Sequence, residues 1–181
     1  MPYRMSENSP PRIALRAPEP EDLEYLYSYE NAPERYAEGT VVRPVSRYQL
    51  RAFVESGGGD DEQLRLLAYR PDDRVRVGCL DFFRMDGVQR TSYLGLGIFP
   101  PGLRGLGYGR ATLRAGLRYA FGVLGLRALA VEVMTSNAPT LALFEAEGFG
   151  RVGLLPEWHR TPDGLLHDVV VMTRGAPDRM P

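Results

Sequence analysis

Hydrophobic positions along this chain change period several times, and each change marks an element. RIALRA, Arg12 to Ala17, alternates apolar with polar residues and predicts a short edge strand. In PEPEDLEYLYSYEN the spacing lengthens: Leu23, Leu26 and Tyr27 form one stripe, and Pro20, Glu21 and Asp22 suit the helix start before it. A second helix, RYQLRAFVE, gathers Tyr48, Leu50, Phe53 and Val54 on one side, with Ser46 placed to cap it and GGGDD to end it. QLRLLAYR and RVRVGCLDFFRM return to the strand period on either side of a PDDR turn, the pattern of an antiparallel hairpin.

From Ser92 the pattern reads strand, glycine-rich turn and helix in immediate succession. The strand ends at Phe99, the turn is RGLGYG (Arg104 to Gly109), and the helix runs from Tyr108 to Leu124. LRALAVEVM, Leu126 to Met134, then predicts a buried strand rich in aliphatic residues. A strand, helix, strand unit implies two parallel strands, and ligands sit where such strands present their C-terminal ends. Asn137 opens a further helix, APTLALFEAEG, that stops at Gly148, and the chain closes as a hairpin around Thr161 to Gly164. The fold class expected is α/β in the α+β sense: a mixed, mostly antiparallel sheet of about seven strands with about four helices. One domain over residues 12–174 is expected, with loose tails at 1–11 and 175–181.

Composition narrows what such a domain can do. With 181 residues, 44% of them hydrophobic, the chain suits a single core, and a net charge of -1 argues against a nucleic-acid partner. All 22 basic residues are arginine, so mechanisms that need a P-loop lysine or a Schiff base are excluded. The single cysteine, Cys79, permits no internal disulfide and no multi-cysteine metal site, and inside an apolar strand it reads as core. His159 and His167 both fall in the final hairpin and read as structural, so no metal is expected. No stretch approaches the roughly 18 apolar residues of a membrane span, and no leader is seen; a cytoplasmic protein without membrane contact is expected.

The candidate chemistry begins at RGLGYG. Glycines at 105, 107 and 109 let the backbone turn tightly and bring its N–H groups close to a ligand. Free amides at a helix start, together with the positive end of the helix dipole, form an anion site suited to phosphate. The spacing fits neither G-x-G-x-x-G nor a Walker sequence. Arg110, on the first turn, can reach a phosphate, whereas Arg114 and Arg118 read as a solvated face.

RGLGYG fits R/Q-x-x-G-x-G/A, and with NAPTLALFEAEGF (Asn137 to Phe149) at the right distance it resembles the two cofactor motifs of the GNAT family of N-acetyltransferases. LRAPEPEDLEYLYSYEN and SRYQL are similar to the N-terminal half of the branch with spermidine and ribosomal-protein acetyltransferases, so the resemblance covers about Arg12 to Arg174. It implies acetyl-coenzyme A lying in a V between Leu94 to Phe99 and Leu126 to Met134. Backbone groups of Gly97, Ile98 and Phe99 would pair with the pantetheine arm, and amides of Arg104, Gly105, Leu106, Gly107, Tyr108, Gly109 and Arg110 would hold the pyrophosphate. Asn137 matches a family position whose side chain contacts the cofactor or an active-site water, and it is also placed as a helix N-cap. A homodimer is common among similar proteins.

Two departures from the family pattern bear on mechanism. Seven residues after Asn137, where many members carry a proton-donating tyrosine, stands Phe144, expected to pack beside the cofactor; Tyr93, Tyr108 or water is left to supply that proton. The strand before RGLGYG has no carboxylate to act as base. Asp81 and Glu132, each interrupting an apolar strand, are the remaining base candidates, and pairing with an arginine or a place at the sheet edge is the plainer explanation of either one. Ala17 to Thr40 holds seven acids against one arginine, interleaved with tyrosines, which suits either a cationic acceptor or a solvated face. The implied activity is direct acetyl transfer to a primary amine of a polyamine-like molecule or a peptide; the alternative is a non-catalytic acyl-coenzyme A binding protein.

Overall fold

Period-two segments become strands β1 (Ala14–Arg16), β2 (Gln63–Tyr69), β3 (Arg76–Asp86), β4 (Thr91–Ile98), β5 (Ala128–Met134), β6 (Gly150–Arg160) and β7 (Leu166–Gly175) in a computed structural model that describes residues 11–37 and 43–177. The helices are α1 (Leu23–Glu30), α2 (Pro33–Ala37), α3 (Arg47–Glu55), α4 (Tyr108–Gly122) and α5 (Ala138–Ala146); four of them are the longer-period segments, and the short α2 is an addition that no segment predicted. The strands form one sheet in the order β1-β2-β3-β4-β5-β7-β6, antiparallel throughout except between β4 and β5. This is the expected mixed sheet. Most of the expected loose tails, residues 1–10 and 178–181, lies outside the described residues, and β7 itself runs to Gly175, past the expected domain end. Among the described residues no helix is long and apolar enough to cross a membrane.

Strand alternation sends buried side chains to the two faces of the sheet, where the two larger of three core clusters form. Leu80, Phe82, Leu94, Leu129 and Val131 point to one face, where α4 covers them with Leu113 and Leu117 and α5 adds Leu141 and Phe144. Gly116 lets α4 lie this close, since an added Cβ would come within 2.6 Å of Leu80. On the opposite face Leu67 and Cys79 are covered by Leu26 and Tyr29 of α1 and by Leu50 and Val54 of α3.

The helix starts follow their sequence signals. Ser46 accepts from the Gln49 N–H while Gln49 reaches back to the Ser46 N–H, a complete capping box before α3. Ahead of α1, the fully buried Asp22 accepts from Arg16 and Arg76 and from the Glu19 N–H. Burial pushes its carboxyl up, yet those hydrogen bonds together hold it below the ordinary carboxylate range. Asp22 thereby ties the α1 start to β1 and β3.

Candidate active site

Parallel pairing between β4 and β5 lasts for three residue pairs, Thr91↔Ala128, Ser92↔Leu129 and Tyr93↔Ala130. Beyond them β3 keeps hold of β4 out to Gly78↔Ile98, and β7 keeps hold of β5 out to Met134↔Val169. The two strands therefore diverge, leaving a wedge whose facing backbone edges have no strand partner among the described residues. Backbone N–H and C=O groups demand partners, so an extended molecule with amides of its own fits between these edges.

The glycine turn closes the wide end of the wedge. Gly105 and Gly107 take positive φ of 77° and 84°, and Gly107 is the N-cap of α4, with no side chain capping the first turn. The amides that begin α4 are thus left for an anion. A Cβ at Gly109 would face Leu143 at 3.6 Å and Ile98 at 3.8 Å, which puts this turn between the end of β4 and α5. Leu106 is exposed, whereas Tyr108 is buried and its hydroxyl accepts from Arg70 at 3.1 Å, so Tyr108 contributes backbone here. Arg104 donates to the Ile98 carbonyl at 3.4 Å.

Other expected cofactor residues have partners of their own. Arg110 and Arg114 both reach the buried carboxylate of Glu147, at 3.3 and 2.9 Å; Arg114 is half-exposed, as expected of a solvated face, and also ties α4 to the end of α5. Asn137 caps α5 by accepting from the Thr140 N–H at 3.3 Å. Phe144 is 3% exposed and packs edge-on against Phe149 with ring centres 5.0 Å apart, inside the α4-side core. The Phe99 N–H donates to Val77 at 3.0 Å and its carbonyl accepts from Tyr25 at 2.9 Å, so both backbone groups are already engaged. At Gly97 an added Cβ would meet the Tyr29 hydroxyl, and Tyr29 thus seals that face of β4 while its edge stays open.

The face of the sheet under α1 and α3 carries the titratable groups. Asp81 lies opposite Arg65 on β2 and opposite Gly95 on β4. Arg65 holds it with two hydrogen bonds, 2.6 and 3.2 Å, and donates a third to Glu30, which also pairs with Arg35 at 3.4 Å. Burial pulls the Arg65 guanidinium down, but Asp81 and Glu30 together raise it well above its ordinary value. A cavity of about 410 Å³ opens over this cluster, lined also by Gln49, Phe53, Gln63 and Phe83. Next to it, Tyr93 ends the parallel ladder at the apex of the wedge, with its ring stacked 5.7 Å from Phe83 and the Arg84 guanidinium 4.9 Å above it.

Both base candidates are therefore paired with arginine, Glu132 with Arg84 at 3.5 Å. Asp81 and Tyr93 share the cavity side of the sheet with the wedge, and Glu132 lies further out on β5. Sequence reasoning missed Glu30 and Arg65; the available signal was an arginine inside the apolar strand QLRLLAY. Cys79 is fully buried, and burial drives its thiol far up, so it is no nucleophile. His159 and His167 face each other across β6 and β7, and no cluster able to hold a metal occurs among the described residues.

Comparison with known proteins gives concordant results. Residues 12–150 match the family model described as an acetyltransferase (GNAT) domain. The SPbeta prophage-derived uncharacterized N-acetyltransferase YokL of Bacillus subtilis is 29% identical over 143 residues, 79% of this chain and 78% of that protein. A spermidine N-acetyltransferase from Vibrio cholerae, solved in complex with CoA and spermine, superposes with a TM-score of 0.81 at 22% identity, covering 91% of this chain and 96% of that one. The dodecameric structure of the Vibrio cholerae enzyme in an intermediate state gives 0.77 at 23% identity, over 91% and 94%. At such identities the structural likeness establishes the fold.

Proposed function

This chain belongs to the GNAT acetyltransferase family, and on that premise we propose that it moves an acetyl group from acetyl-coenzyme A directly to a primary amine held in the cavity over Asp81. The acceptor is a small amine, polyamine-like or simpler, or the amine of a peptide. The divergence of β4 from β5 after Tyr93, with the glycine turn at its wide end, carries this reading. The fit to the cosubstrate rests on two features of this chain: open backbone edges that suit a pantetheine arm, and uncapped α4 amides that suit its pyrophosphate.

When bound, acetyl-coenzyme A supplies a thioester carbonyl whose carbon bonds to the amine nitrogen as its C–S bond breaks and the thiolate departs. The chain's residues have to manage two protons. Freeing an alkylamine of pKa about 10.4 at pH 7 costs roughly 4 to 5 kcal/mol, whereas a thiol of pKa about 8.5 needs about 2 kcal/mol of help. Removing the amine proton is the heavier task, and Asp81, one strand from β4 beside the side-chain-free Gly95, takes it through water. Tyr93 has the hydroxyl that Phe144 lacks, and it stands at the wedge apex to protonate the thiolate.

The test is coenzyme A release over a panel of amines. We expect release above background, a drop of at least tenfold in kcat for Asp81→Asn, and a smaller drop for Tyr93→Phe. Tight acetyl-coenzyme A binding with no release for any amine would overturn transfer and leave a binding protein.

A further inference from the structure

One side chain of β3 lies on a face where strand alternation should not place it. From this we propose that Arg84 is a positioning residue for acetyl transfer, stabilising the negative charge that gathers on Tyr93 as it protonates the departing thiolate. The inference rests on the transferase reading above.

Phe82 and Met85 both pack in the α4-side core, although they stand three positions apart, an odd step for one face of a strand. The pairing explains this: Phe83↔Tyr93 is followed by Asp86↔Thr91, so β3 holds one residue more than β4. Arg84, inside this bulge, takes a positive φ of 51°, which is costly for any residue but glycine. The bulge turns its side chain to the cavity side. There the guanidinium sits 4.9 Å from the centre of the Tyr93 ring, which stacks on Phe83 of the cavity wall. Glu132 of β5 holds the same guanidinium at 3.5 Å. Arg84 thus reaches from β3 over β4 to β5, where the two parallel strands part.

Thiolate protonation takes the Tyr93 hydroxyl proton to sulfur and leaves its electron pair on a phenolate, which regains a proton from water afterwards. A neutral ring attracts the guanidinium through its quadrupole alone, whereas a phenolate adds an opposite charge at the same distance. The contact is therefore stronger in the transition state than before it, the condition for raising kcat rather than affinity. Glu132 then serves to anchor Arg84 and not as a base.

The experiment is a double-mutant cycle read by coenzyme A release, with 2-phenylethylamine and spermidine as acceptors. Arg84→Asn removes the cation and keeps the bulge, because asparagine tolerates the left-handed region. It should lower kcat about threefold, the scale of an exposed cation over a ring, with KM for both substrates within about twofold of wild type. Phenylalanine keeps the ring that the guanidinium covers but has no proton to give. In a Tyr93→Phe background, Arg84→Asn should therefore leave kcat within about 1.3-fold. If Arg84→Asn does not fold, Arg84→Gly, which suits the same φ, carries the cycle. A loss that persists undiminished in the Tyr93→Phe background would make the contact structural and overturn the proposal, as would unchanged kcat in the folded Arg84 variant. Unchanged kcat in Tyr93→Phe would overturn the proton-donor role of Tyr93 and the inference with it. Acetyl-coenzyme A binding without release for either amine or any other of the panel would instead overturn the transfer reading beneath both.

Discussion

Strand β4 presents two working surfaces that are built from different materials. Its edge toward β5 and the glycine turn beyond it, the proposed cofactor site, offer backbone atoms: open strand edges, helix-start amides and glycines at positive φ. The face under α1 and α3 forms a site from side chains, with Arg65 holding Glu30 and Asp81 across the floor of the cavity. A backbone site tolerates change in most side chains but not in the conformation of its turn. A side-chain site depends on each partner, and substitution there reaches both stability and selectivity.

The largest effect separating the two surfaces is expected at Arg65. Arg65→Ala leaves two carboxylates on the cavity floor, one nearly buried and one about a quarter exposed. Breaking such a cluster from one side costs about 3 kcal/mol, the lower end of the range for buried pairs because Asp81 retains some solvent. Urea unfolding measures it. A loss under about 1 kcal/mol would mean that solvent compensates the cluster freely, and the contrast would weaken. Acetyl-coenzyme A affinity should stay within about threefold of wild type in the folded fraction.

Next comes the opposite experiment, on the backbone side. Gly105 has positive φ, and nothing lies within 4 Å of an added Cβ, so aspartate and asparagine both fit, each tolerating the left-handed region. Gly105→Asp sets a carboxylate beside the anion site and should raise the coenzyme A dissociation constant at least tenfold, about 1.4 kcal/mol, in calorimetry. Gly105→Asn should change it much less. Equal affinities for the two variants would remove the pyrophosphate from this turn.

The same division explains what the sequence made legible. The RGLGYG turn announces itself locally, because glycines before an amphipathic helix mark a tight turn within a few residues, and Gly105 and Gly107 do take positive φ ahead of α4. The strands, the capped α3 and the parallel unit around α4 were read from period and caps in the same local way. The Arg65 cluster could not be read so, because it depends on the register between β2 and β3. Counting outward from Tyr69↔Arg76 would put Arg65 against Leu80; a bulge between Ala68 and Tyr69 shifts it to Asp81. Glu30 reaches the cluster from α1 through helix packing alone, which no spacing encodes. Arginine partners for Asp81 and Glu132 were foreseen as a class, but not which arginines.

Asn137 belongs to both surfaces in principle, as an α5 cap and as a cofactor contact. Asn137→Ala removes the hydrogen bond to the Thr140 N–H and should cost about 1 kcal/mol of stability. Stability that falls with unchanged coenzyme A affinity would confine its role to the cap. A fall in affinity beyond about fivefold would extend the wedge to the start of α5.

Arg110 gives the smallest effect and the sharpest boundary between the two surfaces. It is half-exposed at 3.3 Å from Glu147, and Arg114 holds the same carboxylate at 2.9 Å, so Glu147 keeps a partner when Arg110 is removed. Its hydrogen bond to Glu147 raises the Arg114 guanidinium, in keeping with Arg114 as the tighter of the two. Arg110→Ala should therefore lower stability by only about 0.5 kcal/mol, the scale of an exposed pair. If the proposed phosphate site is made of amides, coenzyme A affinity should change less than about twofold at low and high salt alike. A salt-dependent loss well beyond that would show the guanidinium leaving Glu147 for the pyrophosphate. The edge of β4 would then no longer be a backbone site alone, because the first turn of α4 would add a side chain to the same anion.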